Sequence, residues 1–414
     1  MMNRVLSLAI SAVAISLLIA GCSGSGNGNG NGNVPPMPPP APAVTTCVNG
    51  AAGGFSCSGI DLNANVALAA MQVGTIAAAG NDIWGWVDTT TGSEYALMGL
   101  SNGTAFVDVT DSVSPVFLGI LPTQTVESSW RDIKVFADHA FIVADGAGLH
   151  GMQVFDLTQL RGVAAPQTFA AGVVYGDFAN AHNISINEDT GFAYVVGTNT
   201  CGEGLHMIDI NVPLNPMFAG CHAAFEVHDT QCVSYVGPDA DYAGNEICAN
   251  SAKDRVEIVD VTNKASPVTI SNEIYAQLGF VHQAWLTEDH QFLLVGDEFD
   301  EINFVVPTRT HVFDVSDLDA PAYVYAYEAA TNSIDHNIYV LGNRVFQANY
   351  TTGLRVLEFT DLANSDLAEI AFFDTFPGSD AVEFDGAWSV YPFFPSGTII
   401  VSDISGGLFI LTLQ

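Results

Sequence analysis

The sequence predicts an all-β fold, a seven-bladed β-propeller, and three observations predict it. First, a short apolar phrase ending in an acid recurs along the chain: Phe106-Val107-Asp108, Val154-Phe155-Asp156, Met207-Ile208-Asp209, Ile258-Val259-Asp260, Val312-Phe313-Asp314 and Val356-Leu357-Glu358. A seventh copy, Ile410-Leu411-Thr412, lacks the acid, and the steps between copies are 48, 53, 51, 54, 44 and 54 residues. Second, each unit holds four runs of strand-forming residues separated by turn residues. Third, no helical periodicity persists after the N-terminal segment. Four strands in about 50 residues, repeated seven times, describe propeller blades.

Residues 1–21 read as an export signal, with Arg4 followed by an apolar run from Val5 to Ala20. The run is short for a membrane span and ends Ile19-Ala20-Gly21-Cys22, the pattern of a bacterial lipobox, so Cys22 is expected to carry lipid. Residues 22–46 form a tether, first Gly/Asn-rich and flexible, then Pro-rich and extended. Ser23 after the lipidated Cys lacks the Asp that commonly retains lipoproteins at the inner membrane. The expected location is therefore the outer membrane, on its cell-surface or periplasmic face, with the membrane as a partner through the lipid.

Residues 47–80 form a disulfide-stapled lead-in, and the propeller proper occupies 81–414. With Cys22 set aside, Cys47, Cys57, Cys201, Cys221, Cys232 and Cys248 remain, an even number in an exported chain. Pairing nearest neighbours is one of fifteen connectivities. The last unit supplies only three strands, Trp388–Phe393, Thr398–Asp403 and Leu408–Leu413, so the segment Val66–Ile76 is expected to complete that blade and close the ring. The acid ending each phrase has a local explanation, capping the turn that follows.

Composition narrows function. The chain has 414 residues, 45 Asp+Glu against 10 Lys+Arg, and a formal charge of −35. That excludes a phosphate-gripping nucleic-acid binder, which needs clustered cations. No nucleophile elbow, phosphate loop, His-Glu-x-x-His or dinucleotide fingerprint occurs.

Aligning the first strand of each unit gives a column Asn81, Arg131, His182, His228, His282, His336, Asp385. These starts meet at one mouth of the channel. The loops between second and third strands reach the same face and bring Asp145, Asn199, Asn250, Asp297, Glu298, Asn349 and Asp403. Imidazoles with carboxylates suit ligand or divalent-metal binding, or proton transfer near neutral pH; they equally suit hydrogen bonds that pin one blade to the next. A seven-membered ring is too wide for one ion to reach all four His, which leaves His282, His336 and Asp385 as a transition-metal set. A second set, Asp239, Asp241, Asn245 and Glu246, lies on a loop enclosed by Cys232 and Cys248 and offers oxygens for Ca²⁺. Trp84, Trp86 and Trp130 suit either sugar stacking or the core.

The repeated phrase resembles the LVIVD repeat. At greater length, residues 47–414 resemble the bacterial choice-of-anchor B family of exported proteins. The match is carried by Asn81-Asp82-Ile83-Trp84-Gly85-Trp86, Trp130-Arg131-Asp132-Ile133-Lys134-Val135, Ala181-His182-Asn183, Gly237-Pro238-Asp239-Ala240-Asp241-Tyr242, Trp285-Leu286-Thr287-Glu288-Asp289-His290 and Tyr391-Pro392-Phe393-Phe394-Pro395-Ser396-Gly397. The resemblance implies an exported propeller-like domain whose anchor varies among members, and it implies no activity. Three functions follow as expectations. The first is a lipid-anchored module binding a protein, glycan or small ligand at the His-ringed mouth. The second is a metal-dependent hydrolase or lyase using His282, His336 and Asp385, with Asp297 or Glu298 as base. The third is a scaffold without a small-molecule site.

Overall fold

The computed structural model describes residues 43–75 and 77–414. The signal, Cys22 and the tether up to residue 42 lie outside the described residues, as does Ile76 at the end of the expected closing strand.

Seven sheets form the ring, each running antiparallel from an inner first strand to an outer fourth, with Gln167–Thr168 added parallel at the edge of blade one. Blade one is built from Gly80–Asp88, Ser93–Leu100, Gly103–Asp108 and Val116–Pro122, and blade two from Trp130–Phe136, His139–Asp145, Met152–Asp156 and Val173–Tyr175. Blades three to six begin at Asn183–Asn187, Asp229–Ser234, Val281–Leu286 and Asn337–Leu341. Blade seven holds Ala387–Tyr391, Thr398–Asp403 and Gly407–Leu413. Inner strands touch from each blade to the next, and blade seven's inner strand touches that of blade one, which closes the circle.

An N-terminal strand completes blade seven, but it is Ile60–Val66, paired antiparallel with Gly407–Leu413. The expected Val66–Ile76 strand is corrected: beyond Val66 the chain turns through a short 3₁₀ segment, Leu68–Ala70. Residues 60–66 alternate apolar and polar side chains in a way that fits the blade, and Ile60 and Leu62 are buried against blade six and seven residues. The lead-in also does something the sequence did not announce. Phe55–Ser58 pairs with the outer strand of blade six, Ala368–Phe373, and Ala51–Ala52 pairs outside it. One segment thus latches blade six and then closes blade seven. All three nearest-neighbour disulfides form: Cys47–Cys57, Cys201–Cys221 and Cys232–Cys248.

The recurring phrase has a structural meaning. In blades one, three, four, five and six the register between third and fourth strands shifts inside it, at Phe106/Val107, Met207/Ile208, Ile258/Val259, Val312/Phe313 and Val356/Leu357. Such a bulge bends and twists the outer strand. The acid then caps the turn as expected: Asp108, Asp156, Asp209, Asp260 and Asp314 each accept the backbone N–H two residues on, at 2.8–3.0 Å. Gly353 and Gly407, which open two of the phrases, take φ of 74° and 88°, a left-handed conformation that favours glycine.

Seven apolar clusters hold the ring, one between each pair of neighbouring sheets. Stacked Phe106 and Phe155 join blades one and two, while Ile83, Met98, Tyr391 and Ile400 join seven to one. Each fully buried large side chain contributes roughly 1.5–3 kcal/mol. The core is therefore distributed around the ring, and the axis is left to polar groups.

Candidate functional site

The first strands bring His182, His228, His282 and His336 side by side. Successive ring centroids are 4.4, 4.3 and 4.2 Å apart. The Nδ1 of His228 donates to the carbonyl of His282 (3.1 Å), that of His282 to His336 (3.0 Å), and that of His336 to Trp388 (2.6 Å). The row therefore pins blades four to seven in sequence, and each of these bonds places the imidazole proton on Nδ1. Burial, with like charge from neighbouring imidazoles, holds His228 and His282 well below the ordinary range, and burial lowers His336 to about 3. All three are neutral at pH 7. His182 differs: its Nδ1 donates to Asp145 (3.1 Å), and this hydrogen bond lowers the Asp145 carboxyl.

The expected ring divides into separate groups. Asp145, His182 and His228 line a cavity of about 450 Å³ with Trp130, Asn199 and Lys253. His282 and His336 turn their Nε2 atoms toward one carboxylate, that of Glu298, 3.9 Å from each. Glu298 takes the place expected of Asp385, whose carboxylate accepts the N–H of Gly386 instead. Glu298 also accepts from Tyr350 Oη at 2.8 Å, and burial pushes its carboxyl up to about 7.

Other expected members are structural. Arg131 is buried; it donates to the carbonyl of Leu100 and lies 3.2 Å from His150 Nε2, so it does not face a ligand at the mouth. Asp297 accepts from Tyr275 Oη and Gly279 N–H, both at 2.8 Å. Asp403 caps Ser405 and Gly406. Asn349 sits buried in the tight turn before Gly353.

The four residues of the expected calcium set go to different partners. Asp239 accepts the N–H of Asp241 and that of Leu318, and Asn245 donates to Asp260. Glu246 lies on a strand, buried, and accepts from Asn187, Thr190, Tyr194 and Lys264. Its position after a loop invited a ligand reading; in the fold it faces blade three and neutralises Lys264.

One position further along the first strands lies a second polar layer. Asp132 bonds Lys134 at 2.6 Å and accepts the N–H of Ile184 from blade three. Gln283 donates to Asp229 and accepts from Ile338, joining blades four, five and six. Asn337 reaches Asp82 and Ser389. Burial pushes Asp82 and Asp229 up to about 7, with Asp132 adding to the effect. Burial alone would lower Lys134, but Asp132 and Asp82 outweigh it and hold the ammonium above its ordinary value.

Sequence reasoning missed a second cavity. Beyond this layer the channel widens toward the opposite face into a cavity of about 500 Å³. Trp84, Trp285, Tyr391 and Phe393 line one part, while Lys134, Ser185, Asn187, Thr230, Gln231 and Gln283 present polar groups. Lys134 Nζ lies 4.6 Å over the Trp84 ring. The signal was present: Trp84, Lys134, Ser185, Gln231 and Trp285 stand three residues after the column from Asn81 to His282.

No protein-family model matches the sequence, and no curated protein matches it either. Solved structures do match. The β-propeller domain of Cps50 (Swd1) from Myceliophteria thermophila is 11% identical with a TM-score of 0.53, over 86% of this chain and all of that one. Hydrazine synthase of Kuenenia stuttgartiensis is 10% identical with a TM-score of 0.53, over 76% of this chain and 91% of that one. A protein from Lactobacillus plantarum is 14% identical with a TM-score of 0.52, over 73% and 85%. At these identities the likeness concerns the fold alone. The molecule is a seven-bladed β-propeller, an architecture commonly used as an interaction module.

Proposed function

We propose that this chain is an exported binding module, tethered by lipid on Cys22 at the bacterial outer membrane, and a member of the choice-of-anchor B group that its sequence resembles. The three disulfides support an oxidising, exported setting. One observation carries the binding function: the axial cavity with aromatic rings on one part of its wall and amide, hydroxyl and ammonium groups on the rest. Concave, partly apolar cavities with a few convergent polar groups are the usual form of small-ligand sites. Indole faces stack on the apolar face of a sugar ring, while Gln231 and Ser185 hydrogen-bond hydroxyls. The ligand class that fits is a saccharide or similar polyol, entering from the face opposite the His row. Screening the purified protein against a glycan array, then titrating hits against Trp285→Ala and Gln231→Ala, tests this. Binding lost in both variants supports the reading; binding unchanged in both overturns it. If no ligand is found while ring substitutions only lower the melting temperature, the scaffold reading stands instead.

A second reading, a metal-dependent hydrolase or lyase, has its own observation. The Nε2 atoms of His282 and His336 face the Glu298 carboxylate with no hydrogen bond of their own among the described residues. Nδ1 protons held by carbonyls are how metal-binding imidazoles are oriented. The set fits a transition metal such as zinc. Stoichiometric metal that disappears in both His282→Ala and His336→Ala would support it, and a metal-free protein after incubation with zinc would remove it.

A further inference from the structure

Between its second and third strands, blade five forms a short helix, Asp300–Phe304. Asp300 and Glu301 turn inward and are 0% and 2% exposed; Asp335, just ahead of blade six, is 2% exposed. Carboxylate oxygens of the three lie within 4.8 Å of one another. Arg309 holds Asp300 Oδ2 from Nε at 2.7 Å and Nη2 at 2.6 Å, and His311 Nε2 lies 3.4 Å from the same oxygen. Asp300 Oδ1, Asp335 Oδ1 and both oxygens of Glu301 have no hydrogen-bond partner among the described residues.

The charges do not balance. Asp297, Asp300, Glu301 and Asp335 bring four carboxylates, and Arg309 is the one guanidinium paired with them among the described residues. Buried, unpaired carboxylates cost several kcal/mol each unless neutralised. A shared proton satisfies one pair of oxygens, whereas here one oxygen from each of three carboxylates converges, and four oxygens of the trio lack a donor among the described residues. The geometry points to a divalent cation site of calcium type, with Asp300 Oδ1, Glu301 and Asp335 Oδ1 as ligands. The donor set is all oxygen, as calcium prefers, and oxygens bound at about 2.4 Å lie no more than about 4.8 Å apart across one ion. The ion replaces the missing donors and cancels two of the three excess charges. It also ties the segment that carries Glu298 to the residue before His336.

The test uses the purified protein stripped with chelator and titrated with calcium, magnesium or zinc alone. One calcium bound per chain, with a melting temperature raised by roughly 2–5 °C, is the expected result. Glu301→Gln and Asp335→Asn should each abolish the calcium response. Glu298→Gln, which disarms the neighbouring His pair, and Asp317→Asn, in an exposed acidic group, should retain it. A wild-type protein indifferent to calcium in both ion content and melting overturns the proposal. So does a Glu301→Gln variant that still binds calcium and keeps the melting response, which would remove Glu301 from the ligand set. Loss of the response in Glu298→Gln but not Glu301→Gln overturns it in favour of the His pair, so this site and the proposed ligand cavity fail independently.

Discussion

His282 donates its Nδ1 proton to the main-chain carbonyl of His336, 3.0 Å away on the next blade. The same bond recurs from His228 to His282, so a column of identical residues becomes a chain of bonds between blades made through Nδ1 alone.

Replacing His282 with Ala removes a buried donor and leaves both a carbonyl unpaired and a void. A loss of about 1–3 kcal/mol is expected. His282→Asn, which can still donate, should recover part of it. Urea unfolding of the two variants measures this, and equal loss in both would show that the bond is not what the ring holds.

Glu246 is expected to matter more than any exposed acid of the neighbouring loop. Glu246→Ala leaves Lys264 buried without its counter-charge and should cost about 3–5 kcal/mol, unrestored by calcium. Asp241→Ala should stay within about 0.5 kcal/mol of wild type. A calcium-sensitive Asp241 variant would revive the loop as an ion site.

The axial acids predict a pH dependence. Burial raises Asp229 from 3.8 to about 7 in the folded protein. The folded state thus binds this proton more tightly than the unfolded chain. Its contribution is fully present below about pH 4 and is lost as pH rises through about 7. Asp229→Asn should remove that component, so stability falls less steeply between pH 4 and 7 than in wild type, by about 3 kcal/mol across the window. Denaturation at several pH values reads the slope; parallel curves for the two proteins would contradict the assignment.

The Cys47–Cys57 staple closes a short loop, with a sequence separation of 10. Replacing both with Ser should destabilise the oxidised protein by about 2–3 kcal/mol. The difference should vanish when both proteins are unfolded under reducing conditions, and a difference that persists would place the effect in packing instead.

Much of the architecture was readable because it is local and repeated. The acid-ended phrase marks the third strand of each blade, and its spacing counts the blades. The closing strand was misplaced because Ile60–Val66 and the residues after it are both apolar and strand-like; only the partner, Gly407–Leu413, distinguishes them. Asp385 and Glu298 were exchanged for a similar reason. The loop carrying Glu298 folds back through a helix turn, and its reach depends on packing that a column of aligned residues does not contain.

By itself the sequence determined a ring of seven blades, its disulfide-bearing lead-in, and the gathering of four imidazoles on one rim. Those follow from period, strand propensity and the geometry of a closed circle. Only the tertiary structure decided that three of these imidazoles bond to carbonyls, that Trp84 and Trp285 share a cavity at the far end, and that Asp300, Glu301 and Asp335 converge. The physical reason is distance: a hydrogen bond, a stacking face or an ion site depends on ångström-scale separations between residues brought together from different blades, and spacing along a chain does not encode them.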